Sequence, residues 1–309
     1  MRPAGHRSLI LRMLQAPLPS LQSLAHANLR MADSHRWGFC MLGRALGACT
    51  AFAALLALAT SASAQETDPR PAAGLQDNSF LIEEAYNQEA GVVQHVGSFR
   101  RQNRDWTFAF NQEWPIRSQT HQFSYSVPYL WLHNGGGQGF GDVQLSYRYQ
   151  ALKETATQPA FAPRFTVILP TGDDGKGTGF DSYGYQINLP VSKIISDRVT
   201  IHGNAGLTSY FDVFGRQPTS FNLGGSIVYA ITRQTNVLVE ALGEWTETAA
   251  LGGVLDREFT FTLLPGIRHA FNLEQDSQLV IGAGIPIQFS GGDTDVGAMV
   301  FVSYEHKFR

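Results

Sequence analysis

The feature that most constrains this chain is an alternation of apolar and polar side chains with a period of two residues, repeated from residue 92 to residue 308. The C-terminal stretch GAMVFVSYEHKFR is an example. One set of alternate positions is apolar and aromatic, namely Ala298, Val300, Val302, Tyr304, His306 and Phe308. The intervening set becomes charged towards the end, namely Gly297, Met299, Phe301, Ser303, Glu305 and Lys307. Such a period predicts a β-strand whose two faces meet different surroundings.

The same pattern predicts about twelve strands, each long enough to cross a membrane as a tilted barrel strand. EFTFTLLPGIRHAFN, SQLVIGAGIPIQF and NVLVEALGEW alternate clearly, whereas the residues of VVQHVGSF do not sort onto two faces. The predicted strands span residues 92–102, 105–116, 121–132, 141–151, 162–170, 183–194, 199–211, 219–232, 235–246, 257–271, 278–289 and 295–308. No segment of helical period interrupts this series, so one all-β domain is predicted.

The connections between the predicted strands alternate between short and long. RSQT, ISDR, TRQT and NLEQDS are short, whereas HNGGGQGFG, TGDDGKGTGFDS, DVFGRQP, TETAALGGVLD and SGGDTD are longer or rich in glycine. Outer-membrane barrels have short periplasmic turns and longer outer loops. A periplasmic N-terminus places all of these longer loops outside. Only LKETATQPAFAP, at residues 152–163, departs from the rule.

Residues 41–64 have the features of a secretory signal peptide. An arginine, an uncharged run and the small-residue cleavage motif ASA follow one another in MLGRALGACTAFAALLALATSASA. Cleavage is expected after Ala64, and residues 1–40 are expected to be an over-extended reading frame. A lipoprotein signal ending at Cys49 is the weaker alternative, because little apolar sequence precedes that cysteine.

Removal of this leader changes the charge and removes both cysteines. Of the 23 basic and 26 acidic residues, six and one lie within residues 1–64, which leaves 17 and 25 and a formal charge of −8. This balance argues against a nucleic-acid partner, which would require a basic surface. Without cysteine, packing or a membrane must stabilise the exported chain. No apolar run in residues 65–309 approaches the roughly 20 residues of a transmembrane helix.

The composition of the polar faces indicates where the apolar faces point. Only 16% of the chain is charged, and the polar faces carry mainly Thr, Ser, Asn, Gln and Gly, as a crowded polar lumen would. Aromatic residues lie near strand ends, like the girdles of membrane barrels: Trp106, Trp114, Trp131, Tyr183, Tyr210, Trp245, Phe259, Phe271, Phe289 and Phe308. We therefore predict that the apolar faces meet lipid. In the alternative, a secreted β-sandwich, these rings would form the core.

Three stretches carry a family resemblance over residues 79–308, namely FLIEEAYNQEAGVVQHV, GFGDVQLSYRYQ and APRFTVILPTGDDGKGTGFDSYGYQINLPVSK. They resemble the segments typical of the MetA-like outer-membrane transporters, a family named after the meta pathway of phenol degradation. The resemblance implies an outer-membrane barrel that admits small aromatic or other hydrophobic compounds. Because the family's motifs mark turns and strands rather than catalytic residues, it assigns no functional residue here.

The loop TGDDGKGTG contains the glycines of a phosphate-binding loop without the G-x-x-x-x-G-K-[ST] spacing. We therefore interpret it as an exposed loop. Its neighbouring acids Asp173, Asp174 and Asp181 are either solvated or bind a divalent cation that bridges lipopolysaccharide. The spacing of an EF-hand is absent, which favours the solvated interpretation.

Some barrels are enzymes that cleave lipid with a Ser–His pair. The sequence offers His121 with Ser124 and His202 with Ser209, but both separations are odd, so each pair points to opposite faces of its strand. The histidines that follow the leader also lack metal-ligand spacing. The sequence therefore predicts no enzyme, no metal and no cofactor.

Seven charged residues fall on faces predicted to line the lumen, namely Arg148, Glu240, Glu244, Glu258, Arg268, Glu305 and Lys307. In one interpretation they pair across a narrow lumen and hold it shut. In the other they line a pore and select solutes. A barrel of about twelve strands lies between the filled eight and the open sixteen, and on that ground we favour a narrow, partly blocked lumen.

Residues 65–90 form a polar lead-in that ends in SFLIEEAYNQEAG. A short helix in this segment would place Leu81, Ala85 and Gln88 on one side. We predict that it packs at the periplasmic mouth or inside the lumen as a plug.

Together these observations predict a single antiparallel transmembrane β-barrel over residues 91–309, in the outer membrane of a Gram-negative bacterium. Its predicted role is passive uptake of a small hydrophobic or aromatic solute. Its predicted partners are outer-membrane lipid or lipopolysaccharide and the barrel-assembly machinery. That machinery recognises a terminal aromatic, and Phe308 matches it one residue out of register, because Arg309 follows. The alternatives are a structural or adhesin-like barrel without transport and a lipid-modifying barrel enzyme.

Overall fold

The computed structural model describes residues 79–133, 135–250, 252–273 and 277–308, so the predicted signal peptide and most of the lead-in lie outside the described residues. No helix in these ranges is long and apolar enough to cross a bilayer. The strands are β1 (Val92–Gln102), β2 (Asp105–Ile116), β3 (Ser118–Trp131), β4 (Gln138–Phe140), β5 (Val143–Tyr149), β6 (Ala160–Phe161), β7 (Arg164–Leu169), β8 (Gly184–Ser196), β9 (Val199–Tyr210), β10 (Thr219–Ala230), β11 (Thr235–Ala250), β12 (Val254–Asn272), β13 (Gln278–Gly284), β14 (Ile287–Ser290), β15 (Asp293–Val296) and β16 (Ala298–Lys307).

These strands form one closed antiparallel barrel of twelve strands, which confirms the predicted fold. Four of the twelve are each broken into two pieces, namely β4–β5, β6–β7, β13–β14 and β15–β16. Two of the breaks contain a proline, Pro163 and Pro286. Proline interrupts a strand because it lacks the N–H that the ladder needs. The barrel closes where β1 pairs with β16, in register from Val92↔Lys307 to Arg101↔Ala298.

We call the end where β1 begins and β16 ends the terminal end, and the opposite end the loop end. The connections 132–137, 170–183 and 211–218 lie at the loop end. The terminal end has short turns except for 150–159, as the sequence predicts. The stretch TETAALGGVLD is mainly strand rather than a long loop, because β11 and β12 extend over 16 and 19 residues.

The apolar faces point outward and the polar faces point inward, as predicted. Phe261 and Ile267 on β12 are exposed, whereas their neighbours Thr262 and Arg268 are buried in the lumen. Most of the predicted girdle residues lie on the outer surface, but Tyr210 does not. Its side chain is only 3% exposed and packs against Phe180 inside the loop end, because it shares the inward face of β9.

Residues 79–88, here called the luminal segment, lie inside the lumen at the terminal end and are irregular rather than helical. The prediction of a short helix is therefore wrong. Three apolar residues of the segment form one buried cluster with inward side chains of the wall: Phe80, Leu81, Ile82, Val96, Val228, Leu238, Leu242, Leu264, Ala270, Val280, Met299 and Phe301. The inward Val96 also explains why the alternation is weak in β1.

Candidate functional site

Side chains of the barrel wall hold the backbone of the luminal segment. The carboxylate of Glu240 on β11 accepts hydrogen bonds from the backbone N–H groups of Phe80 and Leu81, at 2.9 and 2.5 Å. Glu240 is fully buried. A buried carboxylate needs such donors, since burying an unpaired charge is costly.

Wall amides continue the same recognition along the segment. Asn204 on β9 accepts the backbone N–H of Glu83 at 2.6 Å and donates to the Glu83 carbonyl at 2.8 Å. Gln150 donates to the carbonyl of Ala85 at 2.7 Å and accepts the N–H of Asn87 at 3.0 Å. The wall therefore pairs with the segment's main chain through side chains, rather than by adding it as a strand to the sheet.

A buried ion-pair cluster centres on the side chain of Glu83. Its carboxylate lies 3.1 Å from Arg148 on β5 and 3.3 Å from Arg164 on β7. Arg148 also lies 3.7 Å from Glu113 on β2 and donates to Asn87 Oδ1 at 2.7 Å. The Glu83 and Arg148 side chains are 6% and 3% exposed, so breaking either pair would leave a buried charge without its partner.

The long connection at the terminal end contacts the end of the luminal segment. Glu154 lies 2.8 Å from Lys193 Nζ and accepts the backbone N–H of Ile194 at 2.8 Å. Its other oxygen accepts the hydroxyl hydrogen bond of Tyr86. The unusual length of the 150–159 turn thus has a structural role, because it brings a carboxylate to the mouth of the lumen.

The structure places the seven predicted lumen residues in different settings. Arg148 and Glu240 contact the luminal segment directly, as described above. Glu305 accepts a hydrogen bond from Gln88 of the segment at 3.3 Å. Arg268 is buried on the inward face of β12 and donates to Asn236 at 3.1 Å.

The other three differ in burial. Glu244 is buried on the inward face of β11. Glu258 is half-buried on β12 and accepts the hydroxyl hydrogen bond of Ser290. Lys307 is exposed where β16 ends.

Sequence reasoning missed Glu83, Glu113 and Arg164 as members of this cluster. Glu113 and Arg164 were detectable, since they share the inward faces of β2 and β7 with other polar side chains. Glu83 itself had no such signal, because the luminal segment lacks a period and its contacts lie far away along the chain.

The histidines of the two possible Ser–His pairs contact other residues. His202 Nδ1 lies 2.8 Å from Ser192 Oγ, which also accepts the backbone N–H of Ala85 at 2.8 Å. His121 Nδ1 lies 2.6 Å from the hydroxyl of Tyr147 on the outer surface. The His202–Ser192 pair therefore holds the luminal segment.

The loop end has a second closure, the loop of residues 170–183, here called the loop cap. Asp142, which lies between β4 and β5, accepts backbone N–H groups of Gly172 at 2.9 Å and Phe180 at 3.2 Å. Phe180 packs on the cluster of Ile168, Tyr210, Val213 and Ala249.

The acidic residues of the loop cap form local contacts. Asp173 pairs with Lys176 at 2.8 Å on the exposed surface of the loop. Within the part of the chain that the structure describes, no three His, Cys, Asp or Glu residues are arranged to hold a metal ion. The solvated interpretation of this loop fits that arrangement, while lipopolysaccharide binding stays a prediction.

Solved structures show what fold this arrangement belongs to. The chain is similar to the COG4313 outer membrane channel from Pseudomonas putida F1, with a TM-score of 0.58 and 12% sequence identity, over 72% of this chain and 98% of that one. The KdgM porin matches with a TM-score of 0.42 and 9% identity over 70% and 99% of the two chains. The NanC porin matches with a TM-score of 0.42 and 10% identity over 69% and 98%. The likeness to the COG4313 channel shows that the fold is that of an outer-membrane β-barrel.

Sequence comparison adds a family. Residues 77–304 match the sequence profile of the family described as "Putative MetA-pathway of phenol degradation". No curated protein matches the chain.

Proposed function

The chain belongs to the family described as "Putative MetA-pathway of phenol degradation". From that premise we propose that it is a channel for small hydrophobic or aromatic solutes. The protein would lie in the outer membrane of a Gram-negative bacterium, and solutes would pass through it passively. The outward band of aromatic and aliphatic side chains supports contact with lipid and lipopolysaccharide. The barrel-assembly machinery would recognise the last strand with Phe308.

One observation carries the proposal: the lumen is filled by a segment that lies outside the sheet. The luminal segment precedes β1 and is held by side-chain hydrogen bonds, ion pairs and apolar contacts. Its release would leave the twelve-stranded wall unbroken. A barrel of this size has a lumen between the filled and the open types, so release would create a path whenever the loop cap, the weaker closure, is also displaced.

The proposal predicts that deletion of residues 79–88 opens the barrel. We expect higher single-channel conductance in planar bilayers than for the full chain. Liposomes that carry the deletion variant should also swell faster in phenylalanine than in glutamine, a smaller zwitterion without the ring, whose entry size alone would favour. Slower migration of boiled than of unboiled samples would show that both proteins are folded barrels.

The second candidate is a structural barrel that transports nothing. The buried ion pairs of Glu83 favour it, because they seal the lumen firmly. A folded deletion variant with unchanged conductance and no swelling would contradict the channel and support the structural barrel.

A further inference from the structure

The ring of Phe80 lies against a floor of glycines on the inward face of β12 and β13. A Cβ atom added at Gly266 would lie 2.3 Å from the ring, and one added at Gly282 would lie 2.8 Å from it. At Gly284 the distance would be 3.3 Å. Each of these positions points into the lumen, so any side chain there would occupy the space of the ring.

Apolar side chains complete the walls around the ring. Phe301 on β16 lies with its ring centroid 5.5 Å from that of Phe80, at an interplanar angle of 54°. Leu264 and Met299 belong to the same buried cluster, and the ring of Phe80 is fully enclosed. We call the space bounded by Gly266, Gly282, Gly284, Leu264 and Phe301 the Phe80 pocket.

A polar group lies at the backbone end of this pocket. Glu240 accepts the N–H groups of Phe80 and Leu81, so withdrawal of the luminal segment would remove both of these donors. A solute with a hydroxyl donor would restore such a hydrogen bond, whereas a solute with a carboxylate would repel Glu240.

We propose that the Phe80 pocket is a binding site for one single-ring aromatic solute that carries a hydroxyl group, and that Phe80 occupies it while the luminal segment is docked. This inference rests on the proposed function in one respect, since the solute reaches the pocket through the lumen. Solute and segment then compete for the same space, and the solute favours the undocked segment.

Two physical points support this assignment. An apolar cavity the size of a benzene ring stays dry and takes up benzene. When a residue of the protein itself occupies a pocket, the apparent affinity of the pocket for an external ligand is lower. It is the affinity of the vacant pocket multiplied by the fraction of time for which the pocket is vacant. Emptying the pocket should therefore increase affinity without changing any residue of its wall.

The test uses ¹⁹F NMR of 4-fluorophenol with the full chain refolded in detergent. Phe80→Ala should bind it at least about tenfold more tightly than the wild type does, and more tightly than 4-fluorobenzoate. The matched control is F80A/G282V, in which the added valine refills the space of the ring. We expect its affinity to fall back to that of the wild type, and empty detergent micelles give the background.

Equal binding by folded F80A and F80A/G282V would overturn the proposal, as would no binding by folded F80A. If F80A does not give a heat-modifiable barrel, deletion of residues 79–88 empties the same pocket and should bind 4-fluorophenol equally well. This binding assay does not measure passage of a solute through the barrel. Binding of 4-fluorophenol without liposome swelling would refute only the channel, and liposome swelling without binding of 4-fluorophenol would refute only the Phe80 pocket.

Discussion

The two closures of the barrel differ in what they bury. At the terminal end the luminal segment buries the carboxylate of Glu83 between two arginines and places three apolar residues in one cluster of twelve. At the loop end the loop cap depends on one buried carboxylate, Asp142, and a cluster of four residues with Phe180. Neither closure is part of the barrel's hydrogen-bond ladder.

This difference shows how one barrel can combine a firm and a soft closure. Removing one partner of a buried ion pair costs roughly 3–5 kcal/mol, whereas an exposed pair contributes about 0–1 kcal/mol. The luminal segment contains pairs of the first kind. The loop cap contains a pair of the second kind, since Lys176 and Asp173 are 56% and 46% exposed.

The largest effect is expected for Glu83→Gln, which removes the charge between Arg148 and Arg164. Docking of the luminal segment should weaken by roughly 3–5 kcal/mol. The ratio of open to closed time in single-channel records should then rise at least about 100-fold.

Lys176→Gln is the matched control in the loop cap, because it breaks an ion pair whose two side chains are exposed. Its open-to-closed ratio should change by less than about fivefold. Similar ratios for the two variants would refute the contrast between the closures.

The next effect is confined to the loop cap. Asp142 accepts the backbone N–H groups of Gly172 and Phe180, so Asp142→Ala should weaken docking of the loop cap by roughly 1–3 kcal/mol. A nitroxide on Gly175→Cys should then move more in this variant than in the wild type, as measured by EPR spectra.

Asp142→Asn keeps a carbonyl oxygen that can accept one of these hydrogen bonds, so its effect on nitroxide mobility should be smaller. The probe site suits the measurement, since the chain has no cysteine after residue 64. Equal mobility in the alanine variant and the wild type would show that Asp142 does not hold the loop cap.

The smallest effect is expected at the mouth of the terminal end. Tyr86→Phe removes the hydroxyl that donates to Glu154. Glu154 keeps its contacts with Lys193 and Ile194, so the loss should be only about 0.5–1.5 kcal/mol. The open-to-closed ratio should rise by roughly two- to twelvefold. An effect as large as that of Glu83→Gln would mean that the mouth, not the ion-pair cluster, holds the segment.

The fold could be predicted from the sequence because every barrel strand repeats one local rule. In a strand such as β12, the alternation alone indicates that one face meets lipid and the other meets the lumen. The number of strands and the pattern of loop lengths then indicate a closed barrel. The rule weakens only where the lumen is not polar. In β1, Val96 faces inward because the luminal segment supplies an apolar partner that no local pattern reveals.

The site was less predictable for the same reason. The alternation along the strands predicted that Arg148 and Glu240 face inward. It did not predict what they bind. Glu83 pairs with Arg148 across 65 positions of the chain, and Phe80 meets Phe301 at a far greater separation. Such contacts come from closure of the barrel, which brings together residues that share no motif.

The pairing of β1 with β16 has a consequence for the order of biosynthesis. The luminal segment is made before every strand, yet its partners include Glu240, the glycines of β12 and β13, and Phe301 on the last strand. Its docking site does not exist until translation and export of the whole chain are complete. An unfinished or truncated barrel therefore leaves the sequence FLI uncovered, where chaperones and proteases that recognise exposed apolar chain can reach it. Burial of the luminal segment therefore indicates that the barrel is completely assembled.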